Sequence, residues 1–321
     1  MRVVSRDDGD ELVSRFAPRP RTAESTARVP DSMSLSAVRG AVSRLTSRAS
    51  TGVVGHRRSA VVPRAFYTRR RSAALGCGAV LTVLASRARC AMAASSPSYP
   101  KPIVVSPPEG GETKAVCIFL HGLGDTGHGW ADVAGQMPFE GVKWIFPTAP
   151  TIPITLNGGM RMTGWYDIND LSIEGIIDDR EQTLASAAYV ASLVDEAIAE
   201  GVPSERILIG GFSQGGVVAL TAALRSEKKL AGCAALSTYL ALRDDYPDAL
   251  SAHAKSLPIF LAHGTADQVL RYEYGEMTAA KLSNMGFENV DFKTYPGMAH
   301  SACMEELQHL ARFIASSVGD A

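Results

Sequence analysis

The N-terminal part of this 321-residue chain lacks lysine and is poor in acids. Residues 1–98 contain 17 arginines, six acidic residues and no lysine, so their net charge is +11, whereas residues 99–321 carry −12. No acidic residue lies between Asp31 and Glu109. We predict that residues 1–98 form a disordered extension. Because transit peptides are rich in Arg and Ser and poor in acids, one interpretation of this extension is a transit peptide for import into a plastid or mitochondrion. The alternative is a mis-assigned start, with Met92 as the true first residue.

Paired cysteines, metal-binding motifs and long apolar runs are also absent. The five cysteines form no CxxC pair, which favours free thiols in a reducing compartment and predicts a cytoplasmic catalytic core. No apolar run reaches the roughly 18 residues that span a bilayer. Without an HExxH, EF-hand or P-loop motif, we predict no metal and no cofactor. The acidic remainder of the chain predicts no nucleic-acid binding.

Residues 99–321 alternate short β-rich runs with helical periodicity, which predicts one α/β domain whose mostly parallel sheet carries helices on both faces. We predict strands at Ile103–Val105, Ala115–Leu120, Val142–Phe146, Ile207–Ile209, Cys233–Leu236, Ile259–Ala262 and Val290–Thr294. Helices are predicted at Glu181–Glu200, Gly215–Leu224, Tyr272–Met285 and Cys303–Val318.

A GxSxG motif, Gly211 to Gly215, lies between a predicted strand and a predicted helix. This placement is typical of a nucleophile elbow, and it makes Ser213 the candidate nucleophile. A serine hydroxyl needs a base, and the base needs an orienting carboxylate. Asp267 and His300 follow later predicted strands in the chain order Ser, Asp, His, and both lie at carboxyl ends of strands. His263 is the rival base, although it precedes Asp267.

The loop after the strand Ala115–Leu120 contains Gly122, Gly124 and Gly127 in GxGxxG spacing. A dinucleotide site would also need an acid at the end of the next strand, where Pro147 to Pro150 stand instead. In α/β-hydrolases such a loop supplies one amide of the oxyanion hole. We therefore assign the backbone N–H groups of Leu123 and Gln214 to the oxyanion.

The connection Thr151 to Ile177 is long and apolar, and long loops in compact domains are usually functional. We predict that it forms a lid that binds an acyl chain, and the alternative is an ordinary loop packed on the core. The candidate acyl-chain residues are Ile154, Leu156, Met162, Trp165, Leu171 and Ile176.

Four ordered blocks of this sequence resemble the acyl-protein thioesterases and lysophospholipases of the α/β-hydrolase fold. They are Phe119 to Trp130, Gly164 to Asp167, Gly210 to Gly216 and Gly297 to Ser301. The chain departs from the family at Gln268 to Arg271, after the acid, where the family commonly has a proline.

This resemblance implies a serine hydrolase that cleaves thioesters of S-palmitoylated proteins, lysophospholipids or other carboxylic esters. Transient contact with a membrane surface is a further expectation for such substrates. It carries over Ser213, Asp267 and His300 as the triad, with Leu123 and Gln214 as oxyanion donors. The open alternatives are a general small-ester carboxylesterase and a non-catalytic binding module on the same fold.

Overall fold

The structure is a computed structural model that describes residues 98–107, 111–137 and 139–319. The predicted N-terminal extension, residues 1–98, lies outside the described residues except for Ser98. Nine strands and five α-helices occur in the described part. In chain order they are β1 (Ile103–Val105), β2 (Ala115–Leu120), α1 (His128–Gln136), β3 (Val142–Phe146), β4 (Thr151–Ile154), β5 (Met160–Thr163), α2 (Arg180–Ala199), β6 (Ile207–Phe212), α3 (Gln214–Arg225), β7 (Gly232–Leu236), β8 (Ile259–Gly264), α4 (Glu273–Asn284), β9 (Val290–Tyr295) and α5 (Met304–Val318).

Seven strands form one sheet in the order β1-β3-β2-β6-β7-β8-β9. All neighbouring strands are parallel except β1 and β3, which pair antiparallel. This sheet confirms the predicted α/β fold class. The strands β4 and β5 form a separate antiparallel hairpin within the predicted lid.

The apolar side chains of the central strands are buried on both faces of the sheet, because helices cover both faces. In β2, the side chains of Val116, Ile118 and Leu120 pack in one core cluster with residues of α2, α3 and α4. The alternate side chains, those of Ala115, Cys117 and Phe119, pack in a second cluster with residues of α1 and α5. The two-residue period of the strand therefore builds two cores from one hydrophobic run.

All seven predicted strands and all four predicted helices are present, with ends that differ by a few residues. Helix α1 and the β4–β5 hairpin were not predicted. The three cysteines of the described part are free thiols. In that same part of the chain, no helix is long and apolar enough to cross a membrane.

Candidate active site

The serine of the GxSxG motif lies on a tight turn between β6 and α3. Ser213 has a φ of 54° and a ψ of −122°, a strained backbone conformation for a residue with a side chain. A Cβ atom on Gly215 would lie 2.5 Å from the carbonyl oxygens of Leu120 and His121, and one on Gly211 would lie 2.5 Å from the carbonyl of Gly215. The turn therefore needs glycine at both positions, and it holds the Ser213 side chain at the carboxyl edge of the sheet.

His300 is the histidine that the fold brings to this serine. Its Nε2 lies 2.9 Å from the Ser213 Oγ, and its Nδ1 lies 2.7 Å from the Asp267 Oδ2. A carboxylate only accepts hydrogen bonds, so Nδ1 carries the proton and Nε2 is free to accept the proton of the serine. The three predicted triad residues thus form one continuous hydrogen-bonded chain.

Asp267 is buried, yet the structure favours its ionised form. Burial alone would raise the pKa of this carboxyl, but hydrogen bonds from His263 and His300 and the backbone N–H of Leu270 outweigh it and lower the pKa to about 2. The Asp267 Oδ1 accepts from the backbone N–H groups of Val269 and Leu270, each at 2.9 Å. These two bonds fix the loop that follows the acid, at the point where the resembled family commonly has a proline.

His263, the rival base, contacts the acid and not the serine. Its Nε2 donates to the carbonyl oxygen of Leu270 at 2.8 Å and lies 3.5 Å from the Asp267 Oδ2. The ring is buried at the end of β8. His263 therefore supports the acid, and the structure places His300 alone of the two beside Ser213.

Backbone hydrogen bonds join the loop that carries Asp267 to the loop that carries His300. The N–H of Thr265 donates to the carbonyl of Tyr295, and the N–H of Ala266 donates to the carbonyl of Met298, each at 3.0 Å. The N–H of Gly297 donates to the Thr265 Oγ1 at 2.9 Å. The acid and the base are consequently held in register by the backbone as well as by their own contact.

The candidate oxyanion donors are the backbone N–H groups of Leu123 and Gln214. Gln214 is the first residue of α3, where the backbone N–H has no partner within the helix. A Cβ atom on Gly122 would lie 3.3 Å from the Ser213 Cβ, so the loop that carries Leu123 passes close to the serine. Neither donor is used by another group among the described residues. Both amides are therefore available to a developing negative charge.

The amides of Gly124 and Gly127 in the glycine loop are already occupied. The N–H of Gly124 donates to the carbonyl of Thr163 at 2.8 Å, and the N–H of Gly127 donates to the Thr148 Oγ1 at 3.0 Å. A nucleotide-binding loop would instead offer these groups to a pyrophosphate. The GxGxxG spacing here serves the packing of the loop.

Trp165 connects the two loops that carry the oxyanion donors. Its backbone N–H donates to the Gln214 Oε1 at 2.9 Å, and its indole Nε1 donates to the carbonyl of His121 at 2.8 Å. The Gln214 Nε2 donates to the carbonyl of Tyr166 at 2.6 Å. Only 2% of Trp165 is exposed. The sequence placed Trp165 in a lid, and these polar contacts are the part of its role that sequence reasoning missed.

His121 holds the start of the Leu123 loop. Its Nε2 accepts from the backbone N–H of Ala149 at 3.0 Å, so Nδ1 carries the proton and donates to the carbonyl of Gly122 at 2.7 Å. Burial lowers the pKa of this imidazole, which favours the neutral form that both contacts require. The position of His121 directly after a buried strand was the only sequence signal for this role.

The candidate acyl-chain residues divide into two groups by burial. Ile154 and Trp165 are buried in the domain. Leu156, Leu171 and Ile176 are partly buried and pack against the core cluster. Met162 is partly exposed. Its Sδ would lie 3.7 Å from a Cβ atom placed on Gly124, so Met162 lies beside the glycine loop that carries Leu123. Leu156, Leu171, Ile176 and Met162 remain candidates, because each side chain keeps some exposed surface that a ligand could contact.

Comparison with known proteins agrees with this geometry. Residues 101–318 match the family model described as phospholipase/carboxylesterase. The chain is 47% identical over 212 residues to acyl-protein thioesterase 1 of Neurospora crassa, which covers 62% of this chain and 85% of that protein. It is 39% identical to acyl-protein thioesterase 1 of Cryptococcus neoformans, across 69% of this chain and 99% of that protein.

A solved structure leads to the same family. Zea mays acyl-protein thioesterase 2 has a TM-score of 0.63 and 34% identity, and the match covers 69% of this chain and all of that one. Arabidopsis thaliana SOBER1 has a TM-score of 0.61 at 32% identity, across 64% of this chain and 99% of that one. The predicted resemblance is confirmed: this chain belongs to the phospholipase/carboxylesterase family.

Proposed function

We propose that this chain is a serine hydrolase that cleaves the thioesters of S-acylated proteins. The observation that carries the proposal is the hydrogen-bonded chain from Ser213 through His300 to Asp267, beside two backbone N–H groups that have no partner among the described residues. The relatives that support the substrate class are named acyl-protein thioesterases. Lysophospholipids and other carboxylic esters are further substrates of the same chemistry.

Acylation begins when the Ser213 Oγ attacks the carbonyl carbon of the thioester while its proton passes to the His300 Nε2. The carbonyl oxygen becomes an oxyanion, which accepts hydrogen bonds from the N–H groups of Leu123 and Gln214. The tetrahedral intermediate then collapses, the C–S bond breaks, and His300 returns the proton to the departing cysteine thiolate. The products of this half-reaction are a free thiol and an ester between Ser213 and the acyl chain.

Deacylation repeats these chemical steps with water as the nucleophile. His300 accepts a proton from the water as the water oxygen attacks the acyl carbon, and the same two amides bind the second oxyanion. Collapse breaks the bond to the Ser213 Oγ, which regains its proton from His300. The acyl chain leaves as a carboxylic acid, and the net reaction consumes one water. Asp267 stays ionised throughout and stabilises the imidazolium.

The test of this proposal uses an activity-based fluorophosphonate probe and three substrates. We expect Ser213→Ala to lose both labelling and turnover of a palmitoylated peptide, a lysophospholipid and short nitrophenyl esters. Ser237→Ala is the matched control, because Ser237 also has a positive φ, but it is fully buried and its hydroxyl has no hydrogen-bond partner among the described residues. Labelling of the Ser213→Ala variant would exclude this nucleophile. Turnover of the nitrophenyl esters alone would identify a small-ester carboxylesterase.

We propose that the reaction takes place in a reducing compartment, because the cysteines of the described part are free thiols and such a compartment keeps thiols reduced. The cytoplasm meets that condition, and the composition of residues 1–98 supports a plastid or mitochondrion as the alternative. Fusion of residues 1–98 to a fluorescent protein separates the two. Organelle fluorescence would establish import, and diffuse fluorescence would reject import and favour Met92 as the true first residue.

A further inference from the structure

Tyr99, near the start of the described residues, lies beside Trp165, which bonds to Gln214 and to the loop that carries Leu123. The ring of Tyr99 stacks on Tyr189 of α2, with centroids 3.7 Å apart, and lies 6.3 Å from the ring of Trp165. Its hydroxyl lies 3.3 Å from the Oγ of Ser186, which is buried. Tyr99 thus packs against the face of α2 that holds Trp165.

The direction of the hydrogen bonds between these groups is fixed by their chemistry. The Ser186 Oγ donates its only proton to the carbonyl of Trp165 at 2.5 Å. In its contact with Tyr99, the Ser186 Oγ must therefore accept, so the phenol of Tyr99 donates. Burial raises the pKa of the Tyr99 hydroxyl, which keeps the phenol protonated for that role.

The hydrogen-bonded series continues to the reacting atoms. Trp165 donates its backbone N–H to the side chain of Gln214 and its indole N–H to the carbonyl of His121. The backbone N–H of Gln214 is one candidate oxyanion donor, and Leu123, two residues after His121, provides the other. A displacement of Trp165 would consequently move both donors, and enzymes lose rate when such donors are misplaced.

We propose that Tyr99, acting through Ser186 and Trp165, is a positioning residue for the oxyanion hole. The proposal rests on the proposed serine hydrolase reaction, and it deepens that reaction by adding a residue from outside the catalytic loops. Tyr99 immediately follows the arginine-rich residues 1–98. Its side chain is proposed to have two effects, one on packing through the ring and one on catalysis through the hydroxyl. The hydroxyl of Tyr99 is the group that distinguishes the two effects, because the ring alone provides the packing.

The first experiment compares Tyr99→Phe, Ser186→Ala and Tyr189→Phe in the full chain. Removal of an oxyanion donor costs about 10²- to 10³-fold in rate, and displacement of both donors should cost less, about 3- to 10-fold in kcat for Tyr99→Phe. We expect KM for a short nitrophenyl ester and the melting temperature to stay near the wild-type values. Tyr189→Phe is the matched control, since it removes a hydroxyl from the same aromatic stack without touching the hydrogen-bonded series.

A second measurement separates positioning from general stability. An alkyl trifluoromethyl ketone forms a hemiketal with Ser213 whose oxygen occupies the oxyanion hole, whereas a fatty alcohol of the same length binds only as a ground-state ligand. We expect Tyr99→Phe and Ser186→Ala to weaken the ketone by about the same factor as kcat and to leave the alcohol unchanged. The double variant should lose no more than the larger single loss, because both changes break one series.

Two results would overturn the positioning role. One is wild-type kcat and wild-type ketone affinity in Tyr99→Phe. The other is an equal weakening of ketone and alcohol together with a lowered melting temperature, which would assign Tyr99 to packing. Both readouts use an ester and an inhibitor rather than a thioester. A failure to cleave palmitoylated peptides would therefore contradict the proposed substrate and leave this test intact.

Discussion

The side chain of Asp267 shows how a single residue fixes the geometry of the site. Its Oδ1 accepts two backbone N–H groups, and its Oδ2 faces His300 and His263. The two backbone bonds prevent rotation of the carboxylate, so Oδ2 can only point toward the imidazoles. Because the pKa of Asp267 is lowered to about 2, its stabilising contribution is complete above about pH 4 and is lost as the pH falls through 2.

Asp267→Asn should therefore damage catalysis much more than folding. The amide oxygen can keep both backbone bonds, but the amide nitrogen cannot accept the Nδ1 proton of His300. The imidazole is then held with Nε2 protonated, which cannot accept the proton of Ser213. We expect kcat to fall by about 10³- to 10⁴-fold in a chain that still folds, with a melting temperature lowered only by the loss of this one charge.

The control for this prediction is Asp291→Asn, since the Asp291 carboxylate is exposed on β9 and, within the part of the chain that the structure describes, pairs only with Lys293. Its kcat should match the wild-type value. A loss of less than tenfold in Asp267→Asn would show that another carboxylate orients His300.

The sequence singled out the three residues that the structure joins in one hydrogen-bonded chain, but it did not indicate the contacts that support them. Ser213, Asp267 and His300 could be predicted because each follows a strand, and parallel strands bring their carboxyl ends to one edge. The bonds from Trp165 to Gln214 and from Tyr99 to Ser186 join residues 49 and 87 positions apart. Such contacts have no local pattern, so only the folded chain reveals them.

At the scale of elements, the two features missed from the sequence carry weak local signals. Helix α1 contains Gly129 and Gly135, which lower helix propensity. Strand β4 contains Pro153, and proline argues against a strand except at an edge. Both elements form because the fold provides a partner: the Trp130 side chain packs in the second core cluster, and β4 pairs with β5.

Helix α2 was predicted correctly, but the burial of its side chains does not follow hydrophobicity alone. Leu184 and Ile198 are only partly buried, whereas Thr183 and Ser186 are fully buried. The hydroxyl of Ser186 can be buried because it bonds the carbonyl of Trp165. Hydrophobicity alone therefore identifies the helix but not the orientation of its face.

The hairpin of β4 and β5 provides a test of the predicted acyl-chain lid. Met162 lies beside Gly124 and is partly buried, whereas Met160, two residues away on the same strand, is 64% exposed. We expect Met162→Ser to lower kcat/KM for a palmitoyl thioester by about 5- to 10-fold, through lost contact with the chain. A butyryl thioester should be hydrolysed at the wild-type rate.

Met160→Ser is the control for the same chemical change at an exposed position, and it should leave both substrates unaffected. Equal chain-length preference in Met162→Ser and the wild type would favour the alternative, in which this segment is an ordinary loop packed on the core.

The stability of the whole domain should depend on pH through a group outside the active site. Glu306 lies in the first turn of α5, is fully buried, and neither of its carboxyl oxygens has a hydrogen-bond partner among the described residues. Burial raises the pKa of this carboxyl from 4.5 to about 8. Between these two values the unfolded chain releases a proton that the folded chain keeps, so the free energy of unfolding falls as the pH rises.

Glu306→Gln should remove this dependence. At pH 8.5 we expect the variant to be more stable than the wild type by about 4 kcal/mol, and at pH 4 the two should differ little. Urea denaturation at both pH values measures the difference. Glu305→Gln is the matched control, because Glu305 is its exposed neighbour on the same helix. Identical pH profiles for Glu306→Gln and the wild type would show that the carboxylate is ionised in the folded domain.

The proposed role of Tyr99 provides a test of the predicted boundary between the arginine-rich residues 1–98 and the catalytic part. A chain that begins at Met92 keeps Tyr99 and its contacts with Tyr189 and Ser186. Because residues 1–91 have a composition that buries little apolar surface, we expect this chain to have the melting temperature and kcat of the full protein. A chain that begins at Lys101 lacks the Tyr99 ring and hydroxyl, so it should lose both stability and kcat. Loss of folding in the Met92 chain would place the boundary upstream of it, and equal activity of the two chains would show that the domain needs no residue before Lys101.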